Sequence, residues 1–264
     1  MTFGLFSDIH YSNKPYRLRS ALRQLNGADV ILIAGDLADR GTEQQFSDIL
    51  AILTEEVPNT AVFPVCGNHD LRKDSDTYRE FEESVFRRFS EGCSVEKSRT
   101  GAYCVRLEEE TDLIGLNPLY YRKLFHFPEH GEQLDFLDER LSADAAKRHI
   151  VMCHPPLLAH NPQRTAEMTP YLPKEQDLRL QSILEKHGNV LFLSGHTHFA
   201  PTVERDERRS IIYLNDGSIN PTVAGTKGET QTGNVFLWNP DVNTGKCIFL
   251  DSSEVAFPGF ELSR

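Results

Sequence analysis

The chain has 264 residues, of which 39% are hydrophobic and 25% are charged, and its formal net charge is −11. This length allows a sizeable hydrophobic core, and the composition is that of an ordinary globular protein. The negative charge repels phosphate backbones and anionic lipid, which argues against a polynucleotide or a membrane as the main partner. No apolar run approaches the ~20 residues needed to span a bilayer.

The cysteines and the N-terminal segment indicate in which cellular compartment the protein is located. The five cysteines are odd in number and no pair has C-x-x-C spacing, so no zinc or redox motif is predicted. Cys66 and Cys153 lie in apolar, strand-like runs, which is typical of buried thiols in a reducing environment. The N-terminus, MTFGLFSDIH, begins a strand at once and lacks the features of a signal peptide. We therefore expect a cytoplasmic protein.

The first two thirds of the chain alternate short apolar runs with amphipathic stretches. The run at 28–35 is apolar at successive positions, as expected for a strand with both faces covered, whereas Leu18, Leu22 and Leu25 recur at helical spacing. The same patterns predict strands at 2–7, 28–35, 60–66, 102–107, 112–117, 149–153 and 189–195. They predict helices at 15–25, 41–53 with Thr42 as N-cap, 76–91, 131–142 and 177–188.

The last third of the chain has a different pattern of predicted secondary structure. Strands are predicted at 202–206, 210–216, 234–240 and 246–251, with no helix between them. β-α-β units that lead into a β-rich end predict an α/β fold of two sheets packed face to face, with helices outside. We find no repeat and no linker, so we expect one domain over residues 1–264 that is β-rich from about residue 200. The longest irregular segment, 155–174, has a length that is often functional.

Polar side chains follow five of the predicted strands, at the point where each strand ends. Ligands in open α/β sheets gather at the carboxyl ends of strands, so we expect these side chains to lie close together. The set comprises Asp8, His10, Asp36, Asp39, Asn68, His69, Asp70, His154, His196 and His198.

Seven members of this set have the chemistry of a metal site: Asp8, His10, Asp36, Asn68, His154, His196 and His198. Carboxylate, imidazole and amide ligands without thiolate suit Mn²⁺, iron or Zn²⁺ with open coordination positions. Seven side chains are too many for one catalytic metal, but they fit two divalent metal ions that share a bridging carboxylate. Such pairs, ~3.5–4 Å apart, clamp the oxygens of phosphoryl transfer. Each histidine alone could be structural, but their joint occurrence favours the metal site.

The motifs D-x-H, G-D-x-x-D, G-N-H-D, H and G-H-x-H, in this order, resemble those of the calcineurin-like metallophosphoesterase superfamily. They run from Asp8 to His198, about three quarters of the chain. One motif alone would be weak evidence, whereas five in order, each after a predicted strand, are specific. The resemblance implies a four-layer α/β/β/α sandwich of two mixed sheets flanked by helices, with a binuclear metal centre.

The resemblance also assigns the ligands: one metal would take Asp8, His10, Asp36 and His198, and the other Asp36, Asn68, His154 and His196. Asp36 would bridge the metals. His69 would lie beside them and donate a hydrogen bond or a proton, Asp70 would orient His69, and Asp39 would support the ligands without binding metal. For Asp39 and Asp70, a helix cap or a closed turn is the alternative interpretation.

The chemistry of these residues agrees with what the resemblance implies. Two metals would lower the pKa of a bridging water and give a hydroxide nucleophile, and they would neutralise the phosphoryl oxygens. Imidazoles in general titrate near working pH, which suits His69 to protonating the departing alkoxide. We therefore expect a phosphoesterase that hydrolyses a small phosphodiester, with a 3′,5′-cyclic nucleotide as the leading candidate.

Details of the motifs separate this chain from some members of the superfamily. Purple acid phosphatases have tyrosine where this chain has Asp39, so we expect no purple iron–tyrosinate colour. Lipid-A-pathway pyrophosphatases tend to carry arginine in place of His69. The compact length and the segment GEQLDFLDERL before the strand at 149–153 look like those of bacterial class III cyclic-nucleotide phosphodiesterases.

The motifs leave other functions open. A phosphomonoesterase, acting on a small molecule or a protein, needs the same metal clamp. The net charge and the absence of a basic stripe count against a nuclease, so no stable nucleic-acid binding is expected. The presence of every ligand and of His69 counts against a non-catalytic binding module.

The loop at 155–174 supplies candidates for substrate contact. It follows the strand that leads to His154, so its polar groups could face a bound ester. A solvated loop is an equally good interpretation, and the oligomeric state is not indicated. The candidates are His160, Asn161, Arg164 and Tyr171.

Overall fold

The structure is a computed structural model that describes residues 1–71, 81–87, 93–143, 147–163, 171–224, 229–241, 244–251 and 254–257. The first ten strands are β1 (Phe3–Phe6), β2 (Val30–Ile33), β3 (Ala61–Pro64), β4 (Val95–Lys97), β5 (Tyr103–Glu108), β6 (Thr111–Leu116), β7 (Leu119–Tyr121), β8 (Leu124–His126), β9 (Arg148–Cys153) and β10 (Val190–Ser194). The remaining strands are β11 (Thr202–Asp206), β12 (Ile211–Asn215), β13 (Thr222–Ala224), β14 (Glu229–Gln231), β15 (Asn234–Asn239), β16 (Thr244–Phe249) and β17 (Glu254–Phe257). The helices are α1 (Tyr16–Gln24), α2 (Glu43–Glu56), α3 (Glu132–Ala143) and α4 (Lys174–His187), with a π-helical turn at Glu82–Phe86 and a 3₁₀ turn at Leu158–His160.

Two mixed sheets form the centre of the described structure. The first has the strand order β17-β16-β15-β1-β2-β3, in which β1, β2 and β3 are parallel and β15, β16 and β17 are antiparallel. The second has the order β11-β12-β10-β9-β6-β5-β4, with a parallel centre of β6, β9, β10 and β12. Two short ribbons, β7–β8 and β13–β14, complete the strand pairing.

Alternate side chains of β9 show how the layers stack. Ile150 and Met152 belong to the core that also contains the strands of the first sheet and the buried faces of α1 and α2. Val151 and Cys153, which point the other way, pack in a second core with residues of α3 and α4. The two sheets therefore face one another with helices outside, which confirms the expected sandwich of two mixed sheets flanked by helices.

The predicted helix boundaries agree with the structure to different degrees. Thr42 caps α2 as expected: its hydroxyl accepts from Gln45 N at 3.3 Å, and the Gln45 side chain completes a capping box. Helix α4 begins at Lys174, three residues before the predicted start at 177. The predicted helix at 76–91 falls largely outside the described residues, and its described part is the π-helical turn at Glu82–Phe86.

Some features were not predicted from the sequence. The short strands β4, β7, β8, β13, β14 and β17 are too brief or too polar to give a clear alternation. The β-rich end predicted from about residue 200 is present in β11 to β17. None of the helices in the described part of the chain has the length and apolar composition of a membrane span.

Candidate metal centre

The predicted ligands lie in tight turns directly after strands. Backbone hydrogen bonds tie these turns together, because Asp8 N donates to Gly35 O and Gly195 N donates to His154 O, each at 3.0 Å. Positive φ angles occur at Asp8 (54°), His10 (43°), Asp36 (53°), His196 (71°) and His198 (52°). For residues with a Cβ atom, this conformation costs about 1–3 kcal/mol each and is concentrated at functional sites.

One group of side chains, Asp8, His10 and His198, joins the ends of β1 and β10. Their ligand atoms lie within 4.8 Å of one another. His198 Nε2 is 3.2 Å from Asp8 Oδ1, and His10 Nε2 is 2.9 Å from His198 Nε2. Asp8 is fully buried, yet its Oδ1 accepts no hydrogen bond. A buried carboxylate oxygen without a donor fits a bound cation.

A second group, Asp36, His154 and His196, lies at the ends of β2, β9 and β10. His154 Nε2 is 3.3 Å from Asp36 Oδ2, and His196 Nδ1 is 3.3 Å from His154 Nε2. The other nitrogen of His154, Nδ1, lies 2.7 Å from Ala34 O. Because a carbonyl oxygen only accepts, Nδ1 carries a proton, so in the neutral ring the lone pair is on Nε2, the nitrogen that faces Asp36.

Asp36 lies between the two groups. Its Oδ2 is 3.6 Å from His10 Nε2, and its Oδ1 accepts from His69 N at 2.8 Å. Asn68 precedes His69 in the chain, and its Oδ1 is buried without a hydrogen-bond partner. Six of the predicted ligands therefore share one cluster, and Asn68 adjoins it through its neighbours. A third possible group, His10, Asp36 and His69, includes a residue that the motifs did not mark as a ligand.

The charges of the cluster depend on one another. Burial by itself raises the pKa of both Asp8 and Asp36, but the neighbouring imidazoles lower each pKa below its usual value. Burial disfavours a charged His154, whereas the Asp36 carboxylate favours it and the pKa of His154 rises to about 10. Burial and the charge of His154 lower the pKa of His196 to about 3.

These carboxylates need positive charge close by. Within the described residues, no lysine or arginine side chain contacts the ligands of either group. A divalent cation would supply that charge, and the orphaned oxygens of Asp8 and Asn68 would be satisfied by it. The donor set of carboxylate, imidazole and amide therefore fits a divalent metal centre.

Several residues that hold the ligands were missed in the sequence. The Ser7 hydroxyl lies in hydrogen-bond contact with Asp8 Oδ2 and 2.5 Å from Asp216 Oδ1. Asn220 Nδ2 donates to the Asp8 carbonyl at 2.5 Å. The signal for Asp216 was present, since it is an acidic residue at the end of a predicted strand. For Ser7 and Asn220 no pattern in the sequence marks the contact.

His69 and Asp70 are arranged differently from the expectation. Asp70 accepts from three backbone amides, those of Leu37 (3.1 Å), Ala38 (2.8 Å) and Gly67 (2.9 Å), and it is fully buried. Burial and the charge of Asp36 outweigh these donors and raise the pKa of Asp70 to about 7. Asp70 therefore fixes the turns that carry the ligands and does not orient the His69 ring.

Asp39 makes the contact with the His69 ring that was expected of Asp70. The Asp39 carbonyl oxygen lies 2.9 Å from His69 Nδ1, and its carboxylate Oδ1 lies 3.9 Å from the same atom. The carbonyl fixes the proton on Nδ1, so Nε2 is the nitrogen left to face the cluster. The His69 side chain is 40% exposed, which makes it accessible to a bound molecule.

The structure places the predicted substrate-contact residues in different surroundings. Tyr171 lies edge-on to His196, with ring centroids 4.3 Å apart. His160 instead stacks on Tyr213 at 3.4 Å and pairs with Glu204 at 2.9 Å. Asn161 is buried, and its side chain accepts from Gln163 N at 2.8 Å. Arg164 lies outside the described residues. Only Tyr171, of the three described, contacts a predicted ligand.

A family model of calcineurin-like phosphoesterases matches residues 1–200. The chain belongs to this family. Its match covers all the strand-end motifs, from the turn after β1 to the turn after β10. No curated protein matches the sequence significantly.

Solved structures of this family share the fold. A purple acid phosphatase from yellow lupin, Lupinus luteus, is similar with a TM-score of 0.68 and 12% identity over 98% of this chain and 53% of its own. A putative 5′-nucleotidase from Staphylococcus aureus gives 0.52 and 12% over 98% of this chain and 53% of its own. The protein TT1561 of Thermus thermophilus gives 0.50 and 12% over 97% of this chain and 98% of its own. The chain spans about half the length of the first two, and at these identities the similarity shows the fold alone.

The substitution Gly67→Ala tests the packing around Asp36. A Cβ atom at Gly67 would collide with the Asp36 carboxylate, with its Cγ at 2.7 Å, so Asp36 must shift. We expect the affinity for Mn²⁺ to fall about 10- to 100-fold, as for other residues that orient ligands, measured by titration calorimetry. Gly27→Ala is the control: a Cβ there meets nothing within 4 Å, and the positive φ of Gly27 (95°) strains the backbone, so this variant reports the effect of a strained glycine site without contact to Asp36. Equal affinities in both variants would show that the position of Asp36 does not govern metal binding.

Proposed function

We propose that this protein is a phosphoesterase that uses two divalent metal ions to hydrolyse a small phosphodiester, with a 3′,5′-cyclic nucleotide as the leading substrate class. The observation that carries the proposal is Asp36, whose carboxylate lies between two groups of ligands. One metal would be held by Asp8, His10, Asp36 and His198, and the other by Asp36, Asn68, His154 and His196. The donor types favour Mn²⁺ or iron, and Zn²⁺ is also compatible.

Two bound metals would supply an activated water and positive charge for the phosphoryl oxygens. The protein's own side chains and carbonyl groups orient the ligands and provide a proton donor. Ser7 and Asn220 hold Asp8, and the Ala34 carbonyl holds the His154 ring, so the ligands are oriented before substrate binds. The Asp39 carbonyl fixes the His69 ring with Nε2 towards the cluster. From there His69 can bring a proton to the oxygen that leaves.

The surrounding charge favours a diester over a monoester. A phosphodiester carries one negative charge, whereas a phosphomonoester carries nearly two at neutral pH. The described contacts of the cluster contain carboxylates and imidazoles, and the nearby Arg40 is exposed and paired with Asp39 at 3.5 Å. Because no basic side chain contacts the ligands among the described residues, only the metals would stabilise the second negative charge of a monoester.

A phosphomonoesterase is the second candidate. Its support is that the same ligand set serves both reactions and that the similar structures include proteins named as a phosphatase and a nucleotidase. A nuclease and a non-catalytic binding module rank lower, because the net charge is −11 and the ligand set is complete. Asp39 in place of tyrosine gives no ligand for a purple iron centre.

The cysteines support the proposed cytoplasmic location. All five lie within the described residues and all are free thiols. Free cysteines are usual in a reducing compartment. The partner we propose is therefore a small phosphate ester of the cytoplasm, with no stable binding of nucleic acid or membrane.

The comparison of bis-p-nitrophenyl phosphate with p-nitrophenyl phosphate tests the proposed reaction. We expect Mn²⁺-dependent release of p-nitrophenol from both the diester and the monoester, with kcat/KM higher for the diester by about tenfold or more. A chelator should abolish both activities. A higher kcat/KM for the monoester would favour the phosphomonoesterase, and no activity in metal-loaded protein would contradict both.

The substitution His69→Gln tests the proton donor. The rate for an alkyl diester such as a cyclic nucleotide should fall about 10²- to 10⁴-fold, because its alkoxide leaving group needs a proton. The rate for bis-p-nitrophenyl phosphate should fall much less, because nitrophenolate leaves without one. Metal content, measured by mass spectrometry, should not change. An equal loss on both substrates, or loss of metal, would assign His69 to metal binding instead.

A further inference from the structure

A short ribbon covers one side of the metal-ligand cluster. Strands β7 and β8 pair with Tyr120 directly opposite Phe125, so both side chains lie on the same face, and their ring centroids are 4.8 Å apart. Phe125 is fully buried and lies 5.2 Å from the His196 ring and 5.8 Å from the His154 ring. This face of the ribbon therefore packs against the second group of ligands.

A third aromatic residue extends this face. Tyr171 lies edge-on to His196 at 4.3 Å, and its carbonyl accepts from Phe125 N at 2.9 Å, so the chain at Tyr171 runs beside β8. We call Tyr120, Phe125 and Tyr171 the aromatic wall. Core packing explains Phe125, which is fully buried. The two tyrosines also pack against the apolar cores, but their side chains are only partly buried, so part of each lies exposed beside the polar cluster.

We propose that the aromatic wall binds a planar aromatic ring, such as a nucleobase, that is attached to the phosphate held at the metal-ligand cluster. This inference rests on the proposed function, because it needs the phosphate to lie at that cluster. Aromatic rings stack on tyrosine with a gain that alkyl groups do not have. The wall thereby selects nucleoside and aryl esters over alkyl esters.

The neighbouring Tyr121 provides a matched control. It is the next residue of β7, so its side chain points away from the face that carries Tyr120. Tyr121 is 57% exposed and lies beneath the Arg122 guanidinium at 5.1 Å. Its replacement removes a tyrosine from the same ribbon without altering the aromatic wall.

The test measures binding of two phosphonates, whose carbon–phosphorus bonds are not hydrolysed, to Mn²⁺-loaded protein by titration calorimetry. Phenylphosphonate carries a ring and methylphosphonate does not. We expect wild type to bind phenylphosphonate more tightly, and Tyr120→Ala and Tyr171→Ala each to lower this preference about fivefold or more. Tyr120→Phe, Tyr171→Phe and Tyr121→Ala should keep it. Thymidine 5′-monophosphate, measured in parallel, shows whether a nucleobase raises the affinity more than a phenyl ring does.

Three results would overturn the proposal. The first is a preference for phenylphosphonate that is unchanged in both alanine variants. The second is an equal loss of affinity for methylphosphonate and phenylphosphonate in these variants, which would mean that the tyrosines only support His196. Wild type could also bind both phosphonates equally. Failure of the proposed function looks different: the preference would depend on the tyrosines, but no phosphate ester would be hydrolysed.

Discussion

The structure depends on one arrangement, in which the buried Asp36 carboxylate lies between two groups of imidazole and carboxylate ligands. Asp36 is within 3.6 Å of His10 on one side and 3.3 Å of His154 on the other. Two sheets must meet at their strand ends to make this possible, since His10 follows β1 of the first sheet and His154 follows β9 of the second. The large cores on either side of these sheets hold the strand ends in place against the strain of the turns.

Close approach of the backbone is the second constraint. Gly67 and Gly195 lie so near Asp36 and Asp8 that a Cβ atom would strike the carboxylates. The glycines of the G-N-H-D and G-H-x-H motifs are thus explained by packing at the ligands themselves. Behind them, the Ser7 hydroxyl contacts both Asp8 and Asp216, and Asn220 donates to the Asp8 carbonyl, so two residues far along the chain support this turn.

The sequence predicted the parts of this arrangement that local patterns control. Parallel strands bring their carboxyl ends to one edge, so Asp8, Asp36 and His154 could be placed together before any contact was known. The roles of Asp70 and His160 could not, because they depend on which backbone amide or ring each side chain meets after folding. Asp70 meets three amides near Asp36, and His160 meets Tyr213 of β12. The ribbon β7–β8 was missed because strands of three residues carry almost no periodic signal.

The central claim is that Asp36 joins two metal ions, and a crystal structure of the protein grown with Mn²⁺ tests it most directly. Anomalous scattering at the manganese edge would locate each ion without reference to the protein atoms. We expect two peaks, ~3.5–4 Å apart, with Asp36 between them. A single peak, or peaks that lie away from Asp36, would contradict the account.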